Sequence, residues 1–187
     1  AASDVYKRQG LKIQLKHLDP TLKYNREKKS EIKLSLFFKE ESEYYKNRLQ
    51  KNSIDFTIFL EDDFSISINR GKIVQIIDNL ISNSEYWLIK LKGNDPNCKP
   101  SITIKIESPW IYFYDNGYGI SPAIENMLFE PFVTTKPKGE GRGLGLFIIQ
   151  QLLDSSKCTI ALEPFRNEHG RKYIFAINFS NIINEYK

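Results

Sequence analysis

The sequence predicts an α+β domain, and three observations point there. Residues 72–91 place Ile73, Ile76, Ile77, Leu80, Ile81, Leu88 and Leu91 three or four positions apart, the period of one buried helix face. Residues 101–107 instead alternate, with Ile102, Ile104 and Ile106 on one side, as in a half-buried strand. Helix-period and strand-period runs then follow one another with no repeating βαβ unit and no internal repeat, which argues against a dinucleotide-binding unit or a solenoid.

The chain of 187 residues, 41% hydrophobic and 13% aromatic, is long enough for one domain with a substantial core plus an extension, and it is too apolar for a disordered chain. Residues 1–9, AASDVYKRQ, resemble a translated adapter scar and are set aside from fold reasoning. Residues 10–33 mix Lys, Glu, Pro20 and scattered Leu, giving at most a broken helix. Residues 34–52 have helical spacing through Leu36, Phe37, Tyr44, Tyr45 and Leu49. Together residues 10–53 form an expected helical lead-in to a domain at 54–183.

Within that domain, residues 55–60 and 64–68 are β-rich runs separated by Glu61-Asp62-Asp63, which predicts a hairpin. Gly93-Asn94-Asp95-Pro96 ends the 72–91 helix, and a second strand at 111–114 follows the Ser108-Pro109 break. Residues 121–142 are rich in Pro, Gly, Thr and Lys, so a long lid-like loop is expected there, with a short helix at 122–128. A helix at 144–154 and strands at 159–163 and 172–179 complete the chain. Tyr112, Phe113, Tyr114, Phe129, Phe132, Phe147 and Trp87 are expected to pack in the core or on the sheet.

The net charge of +4 is uneven: residues 1–52 hold 13 Lys/Arg against 7 Asp/Glu, and the remainder 14 against 16. In the extension these charges alternate with Glu and apolar residues, as on a solvated helix face, and no nucleic-acid motif accompanies them. Cys98 and Cys158 form no C-x-x-C pair, so neither zinc nor a disulfide framework is suggested and a reducing, cytoplasmic setting is expected. No apolar run approaches the roughly 18 residues of a membrane span.

Three elements carry chemistry. Asp115-Asn116-Gly117-Tyr118-Gly119-Ile120 puts a carboxylate where a strand gives way to a turn with two glycines, although Asp-Asn-Gly is also ordinary turn chemistry. Gly141-Arg142-Gly143-Leu144-Gly145-Leu146 directly precedes a helix, where close backbone approach and free N–H groups attract phosphate; a plain Gly-rich turn remains open on this run alone. Asn79 and Asn83, four residues apart, share one helical face, and an amide oxygen there suits Mg²⁺, which keeps waters and takes other ligands from phosphates.

Taken together, these elements resemble the GHKL ATPase superfamily (gyrase, Hsp90, histidine kinase, MutL), most closely its histidine-kinase catalytic domains. Residues 76–87, IIDNLISNSEYW, resemble the N box; DNGYGI the first glycine box; residues 128–136, LFEPFVTTK, the F box; GRGLGL the second glycine box. The resemblance spans roughly residues 54–180. It implies a Bergerat fold, a two-layer α/β sandwich with a mixed sheet and helices on one face. It implies Mg-ATP as cofactor, with Asn83 on Mg²⁺, Asn79 on the phosphate side, and Asp115 accepting from the adenine amine. Gly117 and Gly119 would pass close to the nucleotide, and Phe129, Pro131 and Phe132 would form the base of an ATP lid at about 121–142. Gly141, Gly143, Leu144 and Gly145 would form its phosphate-facing hinge, and Lys136 and Arg142 could meet phosphate oxygens. Ser84, Trp87 and Arg142 depart from the residues usual at their positions.

Hydrolysing members of the superfamily carry a Glu four residues before the metal-binding Asn, as a general base for water. Asn79 stands there, and an amide takes no proton at neutral pH, so the resemblance points to phosphoryl transfer. Asp78 and Glu85 are off that stripe. Neither His17, followed by Leu18-Asp19-Pro20, nor His169 has the setting of a phosphoacceptor. The acceptor His, a response-regulator system and helices that pair two copies are therefore expected outside these residues. An Hsp90-like conformational module and a degenerate interaction domain are the alternatives.

Overall fold

The computed structural model describes residues 28–183; residues 1–9, His17 and Pro20 lie outside them. The element order is β1 (Ser30–Lys33), α1 (Leu34–Gln50), β2 (Asp55–Asp62), β3 (Ser65–Ile68), α2 (Arg70–Asn94), β4 (Ser101–Glu107), β5 (Trp110–Asp115), α3 (Gly145–Asp154), β6 (Thr159–Leu162) and β7 (Ile174–Asn178). Two expectations, one of a broken helix and one of a hairpin, are corrected. Residues 30–33 are not helical: they pair antiparallel with β3, from Ser30↔Ile68 to Lys33↔Ser65, and bury Ile32. Four residues are too few for alternation to be read.

The hairpin expected across Glu61-Asp62-Asp63 is also absent, because β2 pairs parallel with β4 while β3 pairs with β1. Glu61 and Asp62 continue β2, and Asp63-Phe64 crosses from one sheet to the other. Asp63 accepts from the Ser35 N–H at 3.0 Å and pairs with Lys33 at 3.6 Å, while Phe64 inserts beside Phe179. Burial of Phe64 and Ile66 in a second layer outweighs the local turn preference.

The main sheet runs β2-β4-β5-β7-β6, mixed because β2 is parallel to β4 and the other pairs are antiparallel. Its register aligns Ile104, Phe113 and Phe175 in one row and Ile106, Ile111, Ile177 and Ile160 in the next. These residues are buried, and α1, α2 and α3 pack against β2, β4 and β6. On the opposite face Trp110 stacks with Tyr112 at 6.2 Å and Tyr173 meets Tyr114 edge-on at 6.1 Å.

Helix α1 shares this core. It buries Leu34, Phe37, Phe38, Tyr45 and Leu49, with Tyr45 edge-on to Phe56 at 5.9 Å, whereas Leu36 and Tyr44 face out. Helix α2 starts on Asn69, whose side chain accepts from the Lys72 N–H at 3.2 Å. It presents the expected apolar stripe, with one polar member, Ser84. Two aromatic expectations fail: Trp87 and Phe132 are exposed, because Trp87 lies off the stripe against Tyr86 and Phe132 has φ +66° at the mouth of a loop.

Candidate functional site

Asp115 ends β5, paired with Ile102, so the ladder fixes its backbone one step before the glycine turn. Both carboxylate oxygens are engaged: the Gly117 N–H donates to Oδ1 at 2.9 Å and the Ser84 hydroxyl donates to Oδ2. Burial pushes the Asp115 carboxyl above its ordinary value, and these two donors pull against that shift.

The turn is locked from two directions. Asn116 Oδ1 accepts from the Ser101 N–H at 2.8 Å, and its amide donates to the Lys99 carbonyl at 2.8 Å. From the β6–β7 connection, the Asn167 amide donates to the Gly117 carbonyl at 3.1 Å while its Oδ1 receives the His169 and Arg171 N–H groups. Gly119 has φ +77°, and a Cβ there would come within 2.9 Å of the Lys172 carbonyl, so both conformation and contact require glycine.

The other half of the site is built on α2 and α3. Asn79 and Asn83 lie half-buried on one face of α2, against the start of α3: a Cβ on Gly145 would sit 3.6 Å from Asn79 Oδ1 and 3.5 Å from Asn83 Nδ2. Leu144 is the N-cap of α3 and no side chain caps it, leaving the first-turn N–H groups open to an anion.

Residues 121–142 form the expected loop, with its short helix reduced to a single 3₁₀ turn at Glu125–Met127. Burial raises the Glu125 carboxyl, but hydrogen bonds from Arg166 and Lys172 outweigh it and hold the group below its ordinary value. The loop closes at a neck, where the Phe132 N–H donates to the Gly143 carbonyl at 2.8 Å. A Cβ on Gly143 would lie 2.5 Å from the Phe132 carbonyl carbon, so this glycine serves the neck itself.

Beyond the neck, Lys136 folds its stem over Gly141 and places Nζ 4.2 Å from the Tyr86 ring centroid and 3.4 Å from Asn83 Oδ1. Burial lowers its ammonium pKa. Tyr86 donates its hydroxyl to Glu140, which also pairs with Lys90 at 3.4 Å. That hydrogen bond pushes Tyr86 up and Glu140 down. Thus Lys136 joins Asn83, while Arg142 is exposed and makes no ion pair among the described residues.

Besides Tyr86, Lys90 and Glu140 beside the loop, Ser84 and Asn167 take part without having been candidate site residues. A serine on an otherwise apolar helical stripe was the available signal for Ser84; Asn167, in a loop of turn formers, offered none. The two carboxylates nearest in sequence point away from the Asn79–Asn83 face. Glu85 is held by Arg48 at 2.6 Å and Asn52 at 3.0 Å, and Asp78 lies beside buried Tyr45, whose hydroxyl is pushed up by burial first and then by the Asp78 charge. Both therefore face α1.

Among the described residues no group of three His, Cys, Asp or Glu could hold a metal ion. Asn83 Oδ1 accepts from the Lys136 ammonium at 3.4 Å; this amide oxygen is of the type Mg²⁺ takes, and would be open to the ion once Lys136 moved off it. No described helix is long and apolar enough to cross a membrane.

Residues 68–181 match the family described as histidine kinase-, DNA gyrase B-, and HSP90-like ATPase, and the chain belongs to that family. Its relatives place it on the histidine-kinase branch, as an ATP-binding catalytic domain. The two-component sensor PprA of Pseudomonas aeruginosa is 34% identical over 88 residues, 44% of this chain and 9% of that protein. The sensor protein ChvG of Rhizobium meliloti is 29% identical over 130 residues, 63% of this chain and 21% of its own. The P. aeruginosa sensor protein kinase PilS is 28% identical over 139 residues, 73% of this chain and 25% of its own. The chain thus spans 9% to 25% of these relatives. Among solved structures, the catalytic domain of histidine kinase ThkA superposes with a TM-score of 0.62 at 25% identity, covering 82% of this chain and 97% of that one. Full-length ShkA in complex with AMPPNP shares the fold, with a TM-score of 0.65 at 18% identity over 85% of this chain and 32% of its own.

Proposed function

We propose that this domain binds Mg-ATP between Asp115 and the start of α3 and transfers the γ-phosphoryl group to a histidine that the described residues do not contain. One observation carries the proposal: a single helix, α2, reaches Asp115 through Ser84 and the N-terminus of α3 through Asn79 and Asn83. An adenine amine would donate to Asp115, with Gly117 and Gly119 beneath it. The phosphates would meet the open N–H groups of Leu144 and Gly145, and Lys136 and Arg142 from the lid. Mg²⁺, when bound, would neutralise phosphate charge, with Asn83 supplying its protein oxygen.

Transfer is favoured over hydrolysis because Asn79 cannot act as a base, Glu85 is held by Arg48 of α1, and Asp78 lies on the α1 side of α2 beside Tyr45. His169 sits in a turn beside Tyr118 and Glu168, so it is not proposed as the acceptor. The partners proposed are a phosphoacceptor histidine domain and a response regulator, in the cytoplasm, with pairing of two copies through helices outside the described residues.

Calorimetric titration with a non-hydrolysable ATP analogue and Mg²⁺ tests this site. Asp115→Asn should weaken the ATP analogue about tenfold or more, by presenting a donor to the amine, and leave a GTP analogue unaffected. Asn83→Ala should remove most of the Mg²⁺-dependent gain. Binding unchanged in both folded variants would overturn the assignment.

A further inference from the structure

Ser84 is buried in the middle of α2, where serine ordinarily bonds the carbonyl four residues back or faces water. Here its single proton crosses to β5 and is donated to Asp115. An ionised carboxylate is acceptor-only, with about four lone-pair sites; Ser84 engages one on Oδ2 and the Gly117 N–H one on Oδ1. With a donor on each oxygen, the carboxylate plane is fixed, and the lone pairs left on the two oxygens face outward as acceptors for a ligand's donor. The turn is packed close to the group as well: a Cβ on Gly117 would be 2.8 Å from Oδ1.

We infer that Ser84 is a specificity-determining positioning residue, which holds Asp115 as a fixed, acceptor-only group and so selects an amino-purine over a keto-purine triphosphate. A keto-purine presents an acceptor where the amino-purine presents a donor, and two acceptors facing each other leave both desolvated and unpaired. This rests on the proposed adenine site at Asp115.

The test is the ratio of affinities for non-hydrolysable ATP and GTP analogues, measured by calorimetry with Mg²⁺ on the wild-type chain, Ser84→Ala, Ser84→Thr and Asp115→Asn. Thermal unfolding checks that each variant folds. Ser84→Ala should lose about tenfold in ATP-analogue affinity with the GTP analogue little changed, so that the ratio falls about tenfold. Ser84→Thr, which retains the hydroxyl, should restore it. Equal weakening of both analogues in Ser84→Ala, or a wild-type ratio there while Asp115→Asn loses its own, would overturn the role of Ser84. A wild-type ratio in Asp115→Asn would overturn the adenine site itself, and this inference with it.

Discussion

The two halves of the site are built from different material. Around Asp115 a helix-interior side chain and the backbone hold the carboxylate at a strand end, through Ser84 and Gly117, and the Asn116 and Asn167 side chains tie the turn that follows to backbone groups. Around Lys136 they come from loop side chains resting on α2, through the Tyr86 ring, Glu140 and Lys90. The difference separates recognition from motion. On the function proposed above, a base-selecting carboxylate would need a rigid support, whereas groups that met phosphates would have to part and reclose as nucleotide entered and left.

The sharpest way to break this contrast compares two glycines. Gly119→Ala is expected to cost about 2 kcal/mol, because positive φ is combined with contacts at 2.9 Å, as read by urea denaturation. Gly139→Ala also meets a positive φ, but with nothing within 4 Å, and should cost about 1 kcal/mol or less. Equal losses would show the lid to be as firmly packed as the turn. Asn116→Ala comes next: it removes two hydrogen bonds at the edge of the turn and should lower stability by about 1 kcal/mol in the same assay.

The smallest effect belongs to Glu140→Gln, which should leave the global unfolding midpoint unchanged while loosening the lid. Its pH dependence has a definite sign. Because the Tyr86 hydrogen bond holds Glu140 below its ordinary value, the latch is complete above the ordinary glutamate range and is lost as pH falls through the depressed value. The NMR shift of the Glu140 N–H, which donates to the Pro137 carbonyl, should follow that loss in the wild type. In the Gln variant it should stay flat through the same range, and a transition of the same size there would remove Glu140 as its cause.

Long periodic segments were legible in the sequence. Strand β4 matches the expected residues 101–107, and α2 extends the expected helix by two or three residues at each end. Residues set by partners distant in the chain were not. β1 pairs along the edge of β3, and the chain expected to turn at Glu61-Asp62-Asp63 instead extends β2 to Asp62 and crosses at Asp63-Phe64, with Phe64 packed beside Phe179. The candidate residues Asn79, Asn83, Asp115 and Gly145 stood out as motifs, while Ser84 and Asn167 take their contacts from β5 and the glycine turn. The lid glycines split by cause: Gly141 yields to the Lys136 stem, and Gly143 to the neck.

That neck bears on how the domain can vary through descent. With the Phe132 N–H bonded to the Gly143 carbonyl, residues 133–142 form a loop whose ends are joined by the backbone itself. Doubling such a loop adds only about 0.6 kcal/mol of closure entropy. Insertions and deletions between the two anchors can therefore accumulate with little effect on the turn that holds Asp115. Position 143 has no such latitude, since any side chain there would force the anchors apart.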